Sequence, residues 1–97
     1  MRFSWDARKS TQNLRERGFD LEFATQIFDH PTLERVDDRR DYGETRVVTL
    51  GEAQAIMLTV VYTDRVEADG EINRRIISAR KSSRREREAY RKHVKST

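Results

Sequence analysis

Apolar and polar residues alternate in the first positions of the chain and then change to a helical spacing. The run RFSW at 2–5 predicts a short first strand. Asp6 suits a helix N-cap, because its carboxylate can accept a hydrogen bond from a free backbone N–H. We therefore expect a mostly polar first helix from there to about Arg17. Gly18 is expected to end it, since glycine readily adopts the left-handed conformation found after helix ends.

A second helix is predicted directly after the first. Asp20 suits its N-cap, and apolar residues follow at helical spacing between Phe23 and Phe28. Pro31 disfavours helix at His30, so the helix is expected to end there.

Strand-like segments fill the middle of the chain. They are expected at 33–36, 46–50, 55–63 and 72–79. Asp69-Gly70 lies between the last two segments and is a strong hairpin signal. Because short connections join these segments in order, the sequence predicts an antiparallel meander with 33–36 as an edge strand.

The C-terminal segment begins with a capping box. Ser83 and Glu86 have the S-x-x-E spacing that opens a helix, which we expect to reach about Val94. The predicted order is β-α-α-β-β-β-β-α. We therefore expect a single α+β domain over 1–97, with two N-terminal helices and one C-terminal helix packed on one side of a twisted antiparallel sheet.

Composition limits the size of the core and the kinds of site. The 97 residues are 35% hydrophobic and 38% charged, which predicts one domain with a thin core. The absence of cysteine excludes disulfides, thiolate metal sites and a cysteine nucleophile, and it fits a cytoplasmic location. No segment resembles a signal peptide or a membrane span. The two histidines lie far apart, so we expect no metal and no other cofactor.

Charge is distributed unevenly along the chain. The net charge is +3, but residues 1–73 carry 10 basic and 15 acidic side chains, whereas residues 74–97 carry 10 basic and 2 acidic ones. Such a division indicates a nucleic-acid surface or an acidic partner at the C-terminal part. A solvated helix face followed by a basic tail is the simpler interpretation of the same pattern.

The basic residues begin on the last predicted strand. A strict period of two predicts that Arg74, Ile76, Ser78 and Arg80 share one face, and that Arg75, Ile77, Ala79 and Lys81 share the other. In an antiparallel meander Arg46, Tyr62 and Arg75 are expected at one end of the sheet. Arg80 is expected toward the other end.

This combination of residues suits RNA chemistry. A guanidinium matches two phosphate oxygens and can stabilise the charge that develops during phosphoryl transfer. Tyrosine can stack on an unpaired base. RNA carries its own nucleophile, the 2′-hydroxyl, so a ribonuclease without metal needs a phosphate clamp and an acid–base pair. Arginine is an unsuitable base because it stays protonated. Glu44, His30 and Lys81 remain as candidates.

Several ordered segments resemble the BrnT toxin family. They are FSWD at 3–6, NLRERGFD at 13–20, FATQIFD at 23–29, DYGETR at 41–46, VVYT at 60–63 and RIISARK at 75–81, with Glu86 and Tyr90 after them. The chain departs from the family pattern at Ser82, where alanine is usual, and in a longer loop at 66–73.

The resemblance implies a RelE-like fold and a ribonuclease toxin of a type II toxin–antitoxin pair. It also implies a BrnA-like antitoxin with a ribbon-helix-helix region, which masks the toxin and through which the complex binds operator DNA. Arg46 matches the Gly-Glu-x-Arg pattern of the family, and Arg75, Ser78 and Arg80 match its R-x-x-S-x-R strand.

We therefore expect a metal-independent endoribonuclease that inhibits translation by cleaving RNA. The expected catalytic residues are Arg75, Arg80, Arg46 and Tyr62. The expected RNA-binding residues are Arg74, Lys81, Arg84 and Arg85. A non-catalytic nucleic-acid-binding regulator and a structural subunit of a repressor complex are the alternatives to this function.

Overall fold

The computed structural model describes residues 1–95 of the chain. Its elements, in chain order, are β1 Arg2–Trp5, α1 Ala7–Arg17, α2 Leu21–Ala24, β2 Leu33–Asp37, β3 Arg46–Ala53, β4 Ile56–Val66, β5 Ile72–Lys81 and α3 Arg84–Lys95. A 3₁₀ helix, Thr25–Asp29, continues α2. This order agrees with the α+β prediction; β1 has the predicted bounds, and β2 to β5 are longer than predicted. Residues 96 and 97 of the predicted domain lie outside the described residues.

The predicted helix caps are confirmed. The Asp6 carboxylate accepts hydrogen bonds from the backbone N–H groups of Arg8 and Lys9, at 2.8 and 3.2 Å. Gly18 follows α1 with a φ of 86°. At α3, Ser83 and Glu86 form both bonds of the capping box, because each side chain accepts from the other residue's backbone N–H.

The sheet has the strand order β1-β5-β4-β3-β2. Strands β2 to β5 form the predicted antiparallel meander. The prediction of a wholly antiparallel sheet is wrong for β1, which pairs parallel to β5 from Arg2↔Asn73 to Trp5↔Ile76.

One face of the sheet carries the main core, and we call it the core face. The largest side chains that are almost completely buried there are Leu21, Ile27, Leu58 and Ile76. They bring α2 and the 3₁₀ helix against the sheet. The approach is closest at Gly51, where a Cβ atom would lie 2.8 Å from the Cβ of Ile27.

Helix α1 lies along the part of the β5 edge that β1 does not cover. β1 covers only residues 73–76 of β5, and the Arg17 guanidinium farther along donates a 2.7 Å hydrogen bond to the Ala79 carbonyl. The Asn13 side chain donates to the Phe19 carbonyl and so holds the chain between α1 and α2. The edge of β5 therefore meets a polar side of α1.

Helix α3 lies on the opposite face, which we call the outer face. A groove there is lined by Leu33, Val48 and Leu50 of the sheet and by Ala89 of α3. The prediction that all helices pack on one side is therefore wrong for α3. The chain leaves β5 toward the outer face at Ser82. The buried hydroxyl of Ser82 forms a 2.9 Å hydrogen bond with the Thr59 hydroxyl on this face. None of the helices within residues 1–95 is both long and apolar enough to cross a membrane.

Candidate functional site

A β-bulge in β5 decides which side chains reach each face. Val61 pairs with Ser78 and Tyr62 pairs with Ile76, so Ile77 is the extra residue. Val60 pairs with Ala79 and therefore keeps Ala79 on the core face together with Ile76. The strict period of two is wrong beyond Ile76 for this reason.

The two faces of β5 consequently carry different basic residues from those predicted. Arg75, Ser78 and Arg80 lie on the outer face, because their partners are Thr63, Val61 and Thr59. Arg74 and Lys81 lie on the core face with Ile76 and Ala79. The bulge therefore places Arg75 and Arg80 on the same face, whereas a strict alternation along β5 predicts them on opposite faces.

Arg46 and Arg75 lie near each other on the outer face, at one end of the sheet. Thr63 pairs with Arg75, and Arg46 immediately precedes Val47, the partner of Tyr62. Both arginines line a pocket of about 180 Å³, which we call the cationic pocket. Its charged lining consists of Lys9, Arg46, Arg65, Arg75, Asp6 and Glu44. Four positive groups therefore face two carboxylates.

The carboxylates neutralise these cations only in part. The Arg46 Nε lies 3.4 Å from a Glu44 oxygen, and Arg65 lies 3.6 Å from the other. Charge-assisted hydrogen bonds are usually about 2.7–2.9 Å long, so these contacts are loose. Within residues 1–95, Lys9 and Arg75 form no ion pair at all. The pocket can therefore accept an anion without first breaking a strong ion pair.

Asp6 is already engaged by the helix that it caps. Its two backbone hydrogen bonds, then the charges of Lys9 and Arg75, lower the pKa of this carboxyl below its ordinary value of 3.8. Asp6 is therefore ionised at neutral pH and holds the first turn of α1 beside Arg75. Glu44 has no comparable backbone bonds and is the carboxylate that remains available in the pocket.

A polar stack behind the cationic pocket holds Arg46 in position. The Arg46 guanidinium lies over the Tyr42 ring, 4.1 Å from its centroid. The Tyr42 hydroxyl donates to the buried carboxylate of Asp37 at 3.1 Å. The hydrogen bond from Arg39 is the main cause that lowers the pKa of Asp37 well below its usual range. This fixed anion keeps Tyr42, and with it Arg46, in one orientation.

Arg80 lies on the same face as Arg75 but outside the cationic pocket. Their partners on β4 are four residues apart, which is about 13 Å at about 3.3 Å per residue. The Arg80 guanidinium makes two hydrogen bonds to Glu86, at 2.7 and 2.9 Å. The structure therefore does not bring Arg80 together with Arg46 and Arg75.

Tyr62 and Arg74 lie at the predicted end of the sheet but on its core face. The Arg74 guanidinium lies 4.0 Å from the Tyr62 ring centroid and makes two hydrogen bonds to Asp64, at 2.8 and 2.9 Å. The Tyr62 hydroxyl donates to Glu34 at 3.0 Å, and burial is the main cause that raises its pKa to about 12. Both side chains are engaged in packing and are separated from the cationic pocket by the sheet.

The remaining predicted residues are dispersed. Lys81 lines a separate cavity with Phe19, and Arg84 pairs with Glu88 in an exposed contact of 3.3 Å. Arg85 lines the groove under α3. Of the three candidate bases, only Glu44 lines the cationic pocket. In the part of the chain that the structure describes, no group of three or more His, Asp or Glu residues could hold a metal ion.

Sequence reasoning missed Lys9 and Arg65. Arg65 could have been found from the alternation along β4, because it lies two residues after Thr63 on the same face. Lys9 carried no such signal. Its position follows from the parallel pairing of β1 with β5, which joins segments about 70 residues apart.

Two comparisons with known proteins bear on this site. Residues 5–86 match the family model described as ribonuclease toxin, BrnT, of type II toxin–antitoxin system. The matched range contains all the charged residues that line the cationic pocket. A search of curated proteins finds no match to the chain.

Proposed function

The chain belongs to the BrnT family of ribonuclease toxins from type II toxin–antitoxin systems, and from this premise we propose that it is a metal-independent endoribonuclease whose reaction takes place in the cationic pocket. RNA cleavage would inhibit translation in the cytoplasm. The five-stranded mixed sheet with three α-helices in residues 1–95 is the arrangement that we assign to the RelE-like fold.

One observation carries this proposal, namely the convergence of four cations around a loosely held carboxylate. Arg46 and Arg75 are the groups that bind the non-bridging oxygens of the scissile phosphate, since guanidinium forks match phosphate geometry. Arg65 and Lys9 add positive charge where the transition state gains negative charge. The contacts of 3.4 and 3.6 Å to Glu44 are weak enough for a phosphate to replace them.

The reaction that fits these groups is an internal phosphoryl transfer. The 2′-oxygen attacks the adjacent phosphorus, the bond from phosphorus to the 5′-oxygen breaks, and a 2′,3′-cyclic phosphate and a 5′-hydroxyl are formed. Glu44 takes the proton from the 2′-hydroxyl, because it is the available carboxylate in the pocket. Lys9 lies in the same pocket and supplies the proton to the leaving 5′-oxygen.

Other predicted residues take supporting positions in this proposal. Arg80, Arg84 and Arg85 bind phosphates farther along the strand of RNA, since Arg80 lies on the outer face and the other two begin α3 beside it. Arg80 would have to exchange Glu86 for a phosphate. Tyr62, Arg74 and Lys81, on the core face, do not contact the reacting phosphate.

The toxin requires a protein partner. A type II system implies an antitoxin, and we propose that this antitoxin is a BrnA-like ribbon-helix-helix protein through which the complex binds operator DNA. A gene for such a protein beside that of the toxin, and copurification of the two products, would support the pairing. Copurification with a protein of another fold would contradict it.

The decisive experiment is cleavage of a defined RNA by the purified full chain in EDTA. We expect products that end in a 2′,3′-cyclic phosphate. Arg75→Ala is expected to lower the single-turnover rate about 10²–10³-fold, the usual effect of removing one transition-state donor. Arg8→Ala is the matched control, since it removes an exposed arginine of α1 that does not line the pocket.

Three results would contradict parts of this proposal. Folded Arg75→Ala and Arg46→Ala variants with full activity would show that the reaction takes place elsewhere. Activity lost in EDTA and restored by a divalent cation would refute metal independence alone. Salt-sensitive retention of intact RNA would favour the nucleic-acid-binding regulator instead.

A further inference from the structure

A second cavity opens beside the cationic pocket, between α1 and β5. Its volume is about 260 Å³, and it shares Lys9 and Ile77 with the cationic pocket. The two cavities therefore adjoin at these two residues. A nucleotide whose phosphate binds in the cationic pocket would present its neighbouring base to this second cavity.

The β-bulge gives the second cavity an apolar wall. Ile77 is the extra residue in β5 and lines both cavities, while its neighbours Ile76 and Ser78 pair regularly with β4. Bulges re-aim side chains and occur often beside active sites. The flat face of a base can pack on this isoleucine, because burial against an apolar side chain removes that face from water.

Helix α1 supplies hydrogen-bonding groups on the other side of the cavity. Lys9, Gln12 and Glu16 lie on one side of the helix at spacings of three and four residues. The Gln12 amide donates to one oxygen of Glu16 at 3.0 Å and so orients the carboxylate. Among residues 1–95, Glu16 takes part in no ion pair, so its other acceptor positions remain open.

We infer that this cavity binds one of the two bases that flank the scissile phosphate, and that it selects guanine. Guanine alone among the four RNA bases presents two adjacent donors, N1–H and the N2 amino group, on its Watson–Crick edge. A carboxylate can accept both hydrogen bonds at once, as Glu16 would here. The cavity, of about 260 Å³, has room for a single base. The inference rests on the proposed function, which fixes where the phosphate lies.

The first test measures base preference during cleavage. The substrates are DNA oligonucleotides with one ribonucleotide, in which the base on each side of the cleavable linkage is varied. We expect wild type to cleave a guanine-containing site with a kcat/KM about 10-fold or more above the others, because one bidentate contact to a base gives discrimination of this order. Glu16→Gln should remove the preference. Glu22→Gln, an exposed charge on α2 outside both cavities, should keep it.

The second test does not depend on catalysis. Calorimetry compares binding of the 3′-monophosphates of guanosine, adenosine, cytidine and uridine to wild type, Glu16→Gln and Glu22→Gln. Tighter guanosine binding that only Glu16→Gln abolishes would support the base site even if no RNA were cleaved. RNA cleavage without guanine preference, together with equal binding of the four nucleotides, would overturn the inference and leave the proposed ribonuclease function standing.

Discussion

The hydrogen bonds of Glu86 predict a specific dependence of stability on pH. The side chain accepts two hydrogen bonds from Arg80 and one from the backbone N–H of Ser83, all between 2.7 and 2.9 Å. The bonds from Arg80 are the main cause that lowers the pKa of Glu86 from 4.5 to about 2. Substitution Glu86→Gln removes the charge but keeps the size of the side chain.

The magnitude follows from the pKa depression and the exposure of the pair. A depression of this size would correspond to at most about 3–4 kcal/mol, at about 1.4 kcal/mol per pH unit. The carboxylate is 21% exposed and Arg80 is 49% exposed, so solvent screens the interaction. We therefore expect Glu86→Gln to lower the free energy of unfolding by about 1–2 kcal/mol at pH 7. For a domain of this size that is a fall in Tm of about 4–15 °C.

The depressed pKa also predicts the direction in which the contribution of Glu86 to stability changes with pH. Because the folded-state pKa is depressed, the stabilisation is complete above about pH 4.5 and is lost as the pH falls toward 2. Urea unfolding of wild type and Glu86→Gln should therefore converge over this interval. Glu88→Gln is the control, since its pair with Arg84 is largely exposed and should contribute less than about 1 kcal/mol. A constant difference between wild type and Glu86→Gln at every pH would refute the reasoning.

Three further changes test the core face of the sheet. Gly51→Ala is expected to lower stability by about 1–3 kcal/mol in urea unfolding, because its Cβ would lie 2.8 Å from that of Ile27. Tyr62→Phe should lose about 1 kcal/mol with its hydrogen bond to Glu34 and keep full cleavage activity. It should also reduce the fall in stability above pH 10 that ionisation of the unfolded tyrosine causes in wild type, leaving the contribution of Tyr90, whose pKa burial also raises. Arg74→Ala should lower Tm by several degrees and leave the cleavage rate within a few-fold of wild type.

These variants also have results that would contradict the reasoning. An unchanged Tm in Gly51→Ala would mean that the 3₁₀ helix moves away without cost. Loss of cleavage in Tyr62→Phe or Arg74→Ala at nearly unchanged Tm would place the core face in the reaction. A stability profile of Tyr62→Phe that falls above pH 10 as steeply as that of wild type would assign the whole fall to other groups such as Tyr90.

The elements that could be predicted from sequence depend on near neighbours. Asp6, Gly18 and the pair Ser83–Glu86 act on groups within four residues, so their effect can be read from the sequence. The position of β1 could not be read in this way. Its partner lies about 70 residues away, and RFSW carries no signal for parallel pairing.

The candidate site could be predicted only in part from the sequence. Arg46 and Arg75 were identified from the family resemblance and from the order of the meander, and the structure brings both into the cationic pocket. Arg80 is grouped with them as a catalytic residue only by the resemblance, since the order of the meander predicts it toward the other end of the sheet. Its hydrogen bonds to Glu86 carry no signal in the sequence. The bulge was hidden because Ile76 and Ile77 are identical, so either residue could have faced the core.

The extra residue at Ile77 limits how β5 can change during evolution. Loss of one residue between Arg75 and Ala79 would rotate one end of the strand, so that either Ala79 would leave the core or Arg75 would leave the outer face. A gene encoding a related protein could lengthen or shorten the turn at 67–71 at a lower cost, because that turn lies outside the paired strands and mainly its local hydrogen bonds would be lost. Single-codon insertions and deletions should accordingly be tolerated in the turn and eliminated by selection in β5.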